Sequence, residues 1–98
     1  MDYVLSERAL EDLNEIWVFT KKTWSIEQAR RYYNLILEEF NYTCINFEFM
    51  QDYKLSNKKL KRSKVKSHHV YFKINEYNEI EILRILHERM DINNQLFD

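Results

Sequence analysis

A run of basic side chains is the densest source of chemistry in this 98-residue sequence. The segment from Tyr53 to Asn75 holds eight Lys or Arg residues and no acid, although the whole chain has 15 basic and 16 acidic residues. Such a segment attracts a phosphate backbone or an acidic partner. Alternatively, its lysines protect a solvated loop and an edge strand from pairing with another sheet. We call the densest part of this segment the basic patch, and either ligand binding or edge protection would explain it. The patch comprises Lys58, Lys59, Lys61, Arg62, Lys64 and Lys66.

Three histidines are candidates for proton transfer near neutral pH. His68 and His69 are sequence neighbours, so on a strand they point to opposite faces and cannot clamp one metal ion together. We therefore expect no metal site. His87 follows an apolar run, and cationic side chains beside it would make a site that cleaves RNA. A structural histidine at a strand end is the alternative. The residues for RNA cleavage would be Lys61, Arg62, Arg84 and His87.

Other kinds of site are excluded by composition. The chain has no Gly and no Pro, which removes every glycine-based phosphate loop, dinucleotide fingerprint and nucleophile elbow. Its single cysteine, Cys44, lies on an apolar stripe and cannot form an internal disulfide. Ser6 and Ser25 are better explained as helix caps than as nucleophiles. We expect no cofactor.

Two helices are predicted after a short strand at Tyr3–Leu5. Ser6 caps a first helix from Glu7 to about Lys22, in which apolar residues recur at helical spacing. Ser25 and Gln28 form a capping box for a second helix, whose apolar stripe continues to Met50. The short link between the two predicts an antiparallel helical hairpin over about residues 7–50.

The second half of the sequence predicts strands. The segment around Leu60 and Val65 indicates a loop and an edge strand. Residues 70–74 alternate between core-facing apolar side chains and others, as in a strand. The run Ile80–Leu86 is apolar on both faces, which is typical of a central strand. Strict alternation places Leu83 and Ile85 opposite Ile82 and Leu86. One of these pairs would then need either a partner segment or the tail at residues 91–98 to cover it.

These elements predict a single domain over residues 1–98 of class α+β. In the order β-α-α-β-β-β, an N-terminal strand and a helical hairpin pack on a mostly antiparallel, curved sheet built from residues 3–5 and about 60–87. The sequence has neither an apolar run that would span a membrane nor a signal peptide. We therefore expect a cytoplasmic protein that has no membrane partner.

Two stretches resemble the ParE branch of the RelE/ParE toxins and together cover nearly the whole chain. They are LSERALEDLNEIWVFTKKTWSIEQARRYY near the start and HHVYFKINEYNEIEILRILHERMD near the end. The marks of the resemblance are Leu5-Ser6, Ala9, Asp12-Leu13 and Ile16 in the first helix, Trp24 and Gln28-Ala29 at the second, and Arg84-Ile85-Leu86-His87 with Met90-Asp91.

The resemblance implies the toxin of a type II toxin–antitoxin pair, which poisons DNA gyrase without turning over a substrate. A ParD-like antitoxin would neutralise it by folding onto the hairpin and sheet with apolar anchors, here Leu10, Trp17, Leu83 and Ile85. Sequence-specific DNA binding is expected only through the antitoxin complex. The matching residues from Arg84 to Asp91 form the terminal motif. In the family this motif implies contacts with the target, here by Arg84, His87, Arg89, Met90 and Asp91. Closing the sheet is the alternative role for these residues, with Arg84 paired to Glu81 or Asp91 and Met90 in the core.

The related RelE-type toxins suggest a second function, which is cleavage of mRNA on the ribosome. Those enzymes need basic residues and a general acid or base, often a tyrosine or histidine near the C-terminus. This sequence has no tyrosine after Tyr77, which favours gyrase poisoning. A relative that binds the antitoxin but has lost its toxicity is a third possibility.

Overall fold

The computed structural model describes residues 2–55 and 58–90. Its elements are β1 (Tyr3–Leu5), α1 (Glu7–Thr23), α2 (Ile26–Ile45), a 3-10 turn (Phe47–Phe49), β2 (Gln51–Leu55), β3 (Lys58–Val65), β4 (His68–Ile74) and β5 (Ile80–His87). The sheet order is β1-β5-β4-β3-β2, in which β1 pairs parallel to β5 and all other pairs are antiparallel. The α+β class and the mostly antiparallel sheet are therefore confirmed. The predicted tail at residues 91–98 lies outside the described residues.

Both helix starts are where the sequence predicts them. The Ser6 hydroxyl accepts a hydrogen bond from the Ala9 amide at 3.0 Å, and the Ser25 hydroxyl accepts one from the Gln28 amide at 3.1 Å. Each cap satisfies an amide that the first helical turn leaves without a partner. In the described ranges, no helix is both long and apolar enough to cross a membrane.

The second helix ends earlier than its apolar stripe suggests. The stripe predicts a helix to Met50, but α2 ends at Ile45 because Asn46 leaves helical geometry, with φ −116° and ψ 25°, and its side-chain amide bonds to the Tyr42 carbonyl at 3.1 Å. Phe47 still packs inward, edge-on against Phe72 with ring centroids 6.0 Å apart. The apolar residues before and after Asn46 therefore face the core, although they do not belong to one continuous helix.

The sheet has one more strand than the sequence predicts. The strands β2 and β3 pair antiparallel, with Tyr53 opposite Leu60 and Leu55 opposite Lys58. Only Leu55, Leu60 and Val65 are buried apolar residues in these two strands, so charged side chains hide the alternation. The strands that follow the helices consequently begin at Gln51 rather than near residue 60.

The core lies between the helices and one face of the sheet. Leu13 of α1 and Ile36 and Phe40 of α2 pack against Phe72 and Ile82 from β4 and β5. Tyr3 of β1 contacts Phe40 edge-on, with 5.3 Å between the ring centroids. Residues of β1 and β5, the first and last described strands, therefore share one core cluster.

A β-bulge at Leu83 corrects the predicted alternation in β5. Tyr71 pairs with Arg84 whereas the next residue, Phe72, pairs with Ile82, so Leu83 is the extra residue. The bulge shifts the phase of the strand by one position. Ile85 therefore joins Ile82 in the core at 2% exposure, and Leu83 does not.

Candidate functional sites

A buried ion pair joins α1 to β5. Nε and Nη2 of Arg84 donate to the two carboxylate oxygens of Asp12 at 2.7 and 2.9 Å, and the Ile85 amide donates to Asp12 Oδ2 at 3.0 Å. Both residues are less than 10% exposed, at 8% for Asp12 and 7% for Arg84. The hydrogen bond from Arg84 to Asp12 raises the pKa of the guanidinium, so Arg84 stays charged.

The side chains of Ser6, which caps α1, and of Asp12 within α1 bond to β5 on the side where it has no neighbouring strand. Pairing with β1 reaches Ile82, and beyond it the Ser6 hydroxyl donates to the Leu83 carbonyl at 2.8 Å. Asp12 then accepts the Ile85 amide. These bonds satisfy backbone groups that would otherwise be buried without partners. Ser6 and Asp12 thus set the position of α1 on the sheet.

The ion pair differs from what the sequence predicts. Arg84 is a predicted target contact, or a partner of Glu81 or Asp91, but its partner is Asp12 and its side chain is buried. The sequence analysis gave Asp12 no role beyond its place among the marks of the family resemblance. One signal pointed inward: Asp12 precedes Ile16 by four residues and Thr20 by eight, which places all three on one helix face.

Two histidines and a tyrosine meet where β4 begins and β5 ends. The rings of His68 and His87 are 5.4 Å apart, and the Tyr32 hydroxyl of α2 hydrogen-bonds to Nδ1 of His68 and donates to the Val65 carbonyl at 3.1 Å. His69 instead lies against Tyr71 with 6.1 Å between ring centroids. The prediction that His68 and His69 point to opposite faces is thus confirmed. Of the two, His68 is the one that faces the helices.

His68 makes the stability of the protein depend on pH. Burial, and then the nearby charge of His87, lowers its pKa from 6.5 to about 4, so the folded protein holds it neutral. The unfolded chain binds the proton more readily, and stability therefore falls as the pH drops from 6.5 towards 4. Allowing for the partial exposure of the ring, we expect a loss of about 1–2 kcal/mol across this window in urea unfolding.

A His68→Asn variant is the control for this pH dependence. It retains a polar side chain without a titrating ring, so its stability should change less than that of the parent protein between pH 6.5 and 4. Identical profiles for the two proteins would show that other groups cause the acid sensitivity.

A groove of about 360 Å³ lies between α1 and the end of β5, beside the two histidines. Its walls include Ile16, Phe19 and His87, and Met90 lies at its end. Phe19 is 66% exposed and Met90 50% exposed, so the predicted core role of Met90 is corrected. Of the other predicted target contacts, Arg89 is exposed, His87 is partly buried, and Asp91 lies outside the described residues.

A larger groove, of about 510 Å³, runs along the surface between α1 and α2. Leu10, Leu13 and Trp17 of α1 line it together with Tyr33 of α2, and its polar lining is Asn14, Arg30 and Asn34. Leu10 is 57% exposed, and the Trp17 ring packs edge-on against Tyr33 at 5.9 Å. An apolar floor with a polar rim is typical of a groove that receives an amphipathic segment.

The predicted antitoxin contacts fall in three places. Leu10 and Trp17 share the groove between the helices, Leu83 lines a cavity on the outer face of the sheet, and Ile85 is buried in the core. The structure therefore brings together two of the four. The bulge at Leu83 places the other two, Leu83 and Ile85, on opposite faces of the sheet.

The basic patch is divided between the two faces of the sheet. Lys61 points towards the helices, where its ammonium lies 3.0 Å from Asp52 and donates to the Met50 carbonyl at 3.2 Å. Arg62 points outward and lies over the Tyr53 ring at 4.4 Å, and Lys64 pairs with Glu88 at 2.8 Å. Lys66 lies in the turn after β3, and Lys58 and Lys59 line the outer cavity.

Comparison with known proteins places the chain in a family. The sequence model for the ParE toxin of the type II toxin–antitoxin system parDE matches residues 3–92. The chain is 26% identical to Toxin ParE1 of Mycobacterium tuberculosis over 94 residues, covering 96% of each protein. It is 28% identical to Toxin ParE1 of Caulobacter vibrioides over 89 residues, covering 91% of each.

A solved structure shares the fold. The chromosomal ParDE TA system from P. aeruginosa contains a chain that superposes with a TM-score of 0.76 at 18% identity, covering 89% of this chain and 95% of that one. The helical hairpin on a mostly antiparallel sheet is therefore the architecture of that chain as well. Together with the family match across nearly the whole sequence, this shows that the chain belongs to the ParE toxins of type II toxin–antitoxin systems.

Proposed function

We propose that this toxin poisons DNA gyrase in the cytoplasm and is neutralised by a ParD-like antitoxin. The family match over residues 3–92 supports the proposal, since it covers the hairpin, the whole sheet and the terminal motif. The partner is proposed because the matching family and the similar solved structure are both described as parDE systems.

The dispersal of the four candidate RNA-cleaving residues is the observation that favours gyrase over mRNA. Lys61 and Arg62 point to opposite faces of β3, since Lys61 pairs with the core residue Phe72 and Arg62 with Tyr71. Arg84 is buried against Asp12. General acid–base catalysis needs its groups within hydrogen-bond reach of one substrate. An arrangement of this kind does not assemble those groups around one phosphodiester.

The groove between the helices is the proposed site for the antitoxin. Leu10 supplies an exposed apolar side chain, and the half-buried Trp17 supplies a large ring held by Tyr33. An amphipathic helix could place its apolar face on these residues and its polar face towards Arg30 and the two asparagines. In this proposal Leu10 and Trp17 anchor the antitoxin, and neither is needed for contact with gyrase.

The end of β5 is the proposed site for the target. Arg89 and Met90 are exposed there, beside the partly buried His87. Arg84 takes a different role in this proposal: its bonds to Asp12 hold β5 against α1 and so position the residues that follow. It is a positioning residue rather than a contact.

Induction of the toxin alone in a bacterium, with pulse-labelling of DNA and protein synthesis, tests the proposed target. We expect DNA synthesis to fall within the first minutes while protein synthesis continues. A fall of protein synthesis before DNA synthesis would reject gyrase and favour RNA cleavage.

The same assay tests the proposed contact surface. The double variant Arg89→Glu with Met90→Ala should reduce the effect on DNA synthesis about tenfold, because it reverses one exposed charge and removes one exposed apolar side chain. Lys22→Glu, an exposed charge reversal at the end of α1, is the matched control and should stay fully toxic. Equal toxicity of both variants would place the target contact elsewhere.

A further inference from the structure

The strand β2 forms an open edge of the sheet. Within residues 2–55 and 58–90 its one neighbouring strand is β3, so the backbone groups that point away from β3 face no other strand. At the opposite edge, β1 is only three residues long, and the side chains of Ser6 and Asp12 bond to β5 beyond it. The free backbone of β2 is therefore a template on which one more strand can pair.

The features that usually block an edge strand are absent from β2. The strand has no proline, and its pairing with β3 runs without a bulge from Gln51 to Leu55. It holds one lysine, Lys54, which is balanced by one acid, Asp52. Edge strands that exclude partners carry prolines, bulges or unbalanced lysines. The charges of β2 therefore do not repel a second strand of matching pattern.

The charge pattern of β2 matches itself when two copies run antiparallel. Facing residues lie on the same side of a sheet, so the numbers of a symmetric facing pair add up to an even total. When Tyr53 faces its own copy, Asp52 faces Lys54 of the second copy, and Lys54 faces Asp52. The two neighbouring registers place Asp52 opposite Asp52 or Lys54 opposite Lys54. Like charges in facing positions destabilise a sheet, so the register centred on Tyr53 is favoured.

Both charged side chains are accessible for this contact. The Asp52 side chain is 88% exposed, and Oδ1 is the oxygen that lies 3.0 Å from the Lys61 ammonium. Lys54 is exposed and lies opposite Lys59 within its own chain, which is an unfavourable pairing. Asp52 of a second copy would offset that repulsion from the other side of β2. Each Asp52 would then lie between Lys61 of its own chain and Lys54 of the second copy.

An exposed phenyl ring extends the contact beyond the strand. Phe49 is 87% exposed and lies two residues before Gln51, about 7 Å along an extended chain. In the favoured register Gln51 faces Leu55 of the second copy, so the Phe49 ring is brought close to the end of that strand. At the centre, the half-buried Tyr53 faces its own copy. Aromatic pairs across two strands add to the stabilisation by opposite charges.

We propose that two copies of the free toxin pair antiparallel through β2 and form a symmetric dimer in which the two five-stranded sheets become one. The symmetry axis passes beside Tyr53. The end of β5 stays open because β5 lies three strands from β2, about 14 Å across the sheet. The dimer also uses no residue that lines the groove between the helices. One dimer therefore presents two copies of each proposed site.

Sedimentation velocity of the purified full-length toxin, from about 1 to about 200 μM, tests for the dimer. We expect a dissociation constant of roughly 10–100 μM, because a single pair of strands makes a small interface. Asp52→Lys and Lys54→Asp should each weaken the dimer at least tenfold, since either change turns both symmetric charge contacts into repulsions. Glu76→Lys, an exposed charge reversal between β4 and β5, is the matched control and should change the constant less than twofold.

Exchange of the two charges tests the register itself. The double variant Asp52→Lys with Lys54→Asp restores opposite charges in the facing positions and should dimerise within about threefold of the parent protein. An equimolar mixture of the two single variants should form a heterodimer, because one copy then carries two lysines at these positions and the other carries two aspartates. Loss of folding in a variant would not produce such a heterodimer, and unchanged amide spectra show that each variant is folded.

Three results would overturn the proposal. The first is a toxin that stays monomeric at about 200 μM. The second is a dimer that the single variants weaken no more than Glu76→Lys does, since such a dimer would use another surface or respond to net charge alone. The third is a mixture of the single variants that does not associate. None of these measurements involves the antitoxin or DNA synthesis, so they do not depend on the proposed function.

Discussion

We expect Asp12→Ala to lower the free energy of unfolding by about 3–5 kcal/mol, which is the usual cost of removing one partner of a buried ion pair. The loss is large because the carboxylate binds three donors, two on the Arg84 side chain and the amide of Ile85. Alanine leaves a buried guanidinium and a buried amide without this acceptor. Urea unfolding at pH 7 measures the change.

Glu11→Ala is the matched control for the ion pair. It removes a carboxylate from the neighbouring, exposed position of the same helix and should alter stability by less than about 0.5 kcal/mol. A loss below about 1 kcal/mol for Asp12→Ala would mean that Arg84 finds another partner. The pair would then not be what holds β5 against α1.

We expect Leu10→Asp to weaken binding of the proposed antitoxin by about 30-fold or more, equivalent to about 2 kcal/mol at an interface hot spot. The substitution places a charge on the apolar floor of the groove between the helices, next to Trp17. Leu10 is 57% exposed in the free toxin, so its own stability should change little. Calorimetric titration with an antitoxin that rescues growth measures the affinity.

Ile45→Asp provides the comparison for the antitoxin surface. Ile45 is also an exposed aliphatic residue, 82% accessible at the end of α2, but it does not line the groove between the helices. It should leave the affinity within about threefold. Equal losses for the two variants would indicate a general effect of added charge and would contradict the proposed groove.

Local signals in the sequence predicted most of the helical hairpin. Ser6 and Ser25 were recognisable as caps because a cap needs only its own residue and an amide three positions later. The alternation of residues 70–74 likewise depends on the strand alone. Wherever the controlling interaction is local, the sequence pattern and the structure agree.

Contacts between distant residues account for what the sequence did not predict. Asp12 and Arg84 are 72 positions apart, and nothing near either residue specifies the other. The bulge at Leu83 is also invisible to a pattern of alternating residues, and it moved Ile85 from a predicted partner surface into the core. The candidate sites were therefore predicted less completely than the fold.

The distribution of the basic residues shows the same limit. The sequence showed eight basic residues between Tyr53 and Asn75 but not how the strands would distribute them. Neighbouring residues of β3 point to opposite faces, which separates Lys61 from Arg62. Arg8, which lies far from the basic segment in the sequence, lines the same cavity on the outer face of the sheet as Lys58 and Lys59.

The parallel pairing of β1 with β5 has a consequence for biosynthesis. The strand formed by Tyr3–Leu5 is translated before every other described element, and its partner Ile80–His87 is translated after all of them. The core cannot close until β5 has been made, since β5 lies between β1 and β4. A nascent or prematurely terminated chain that lacks β5 therefore lacks both the completed sheet and the proposed target contacts.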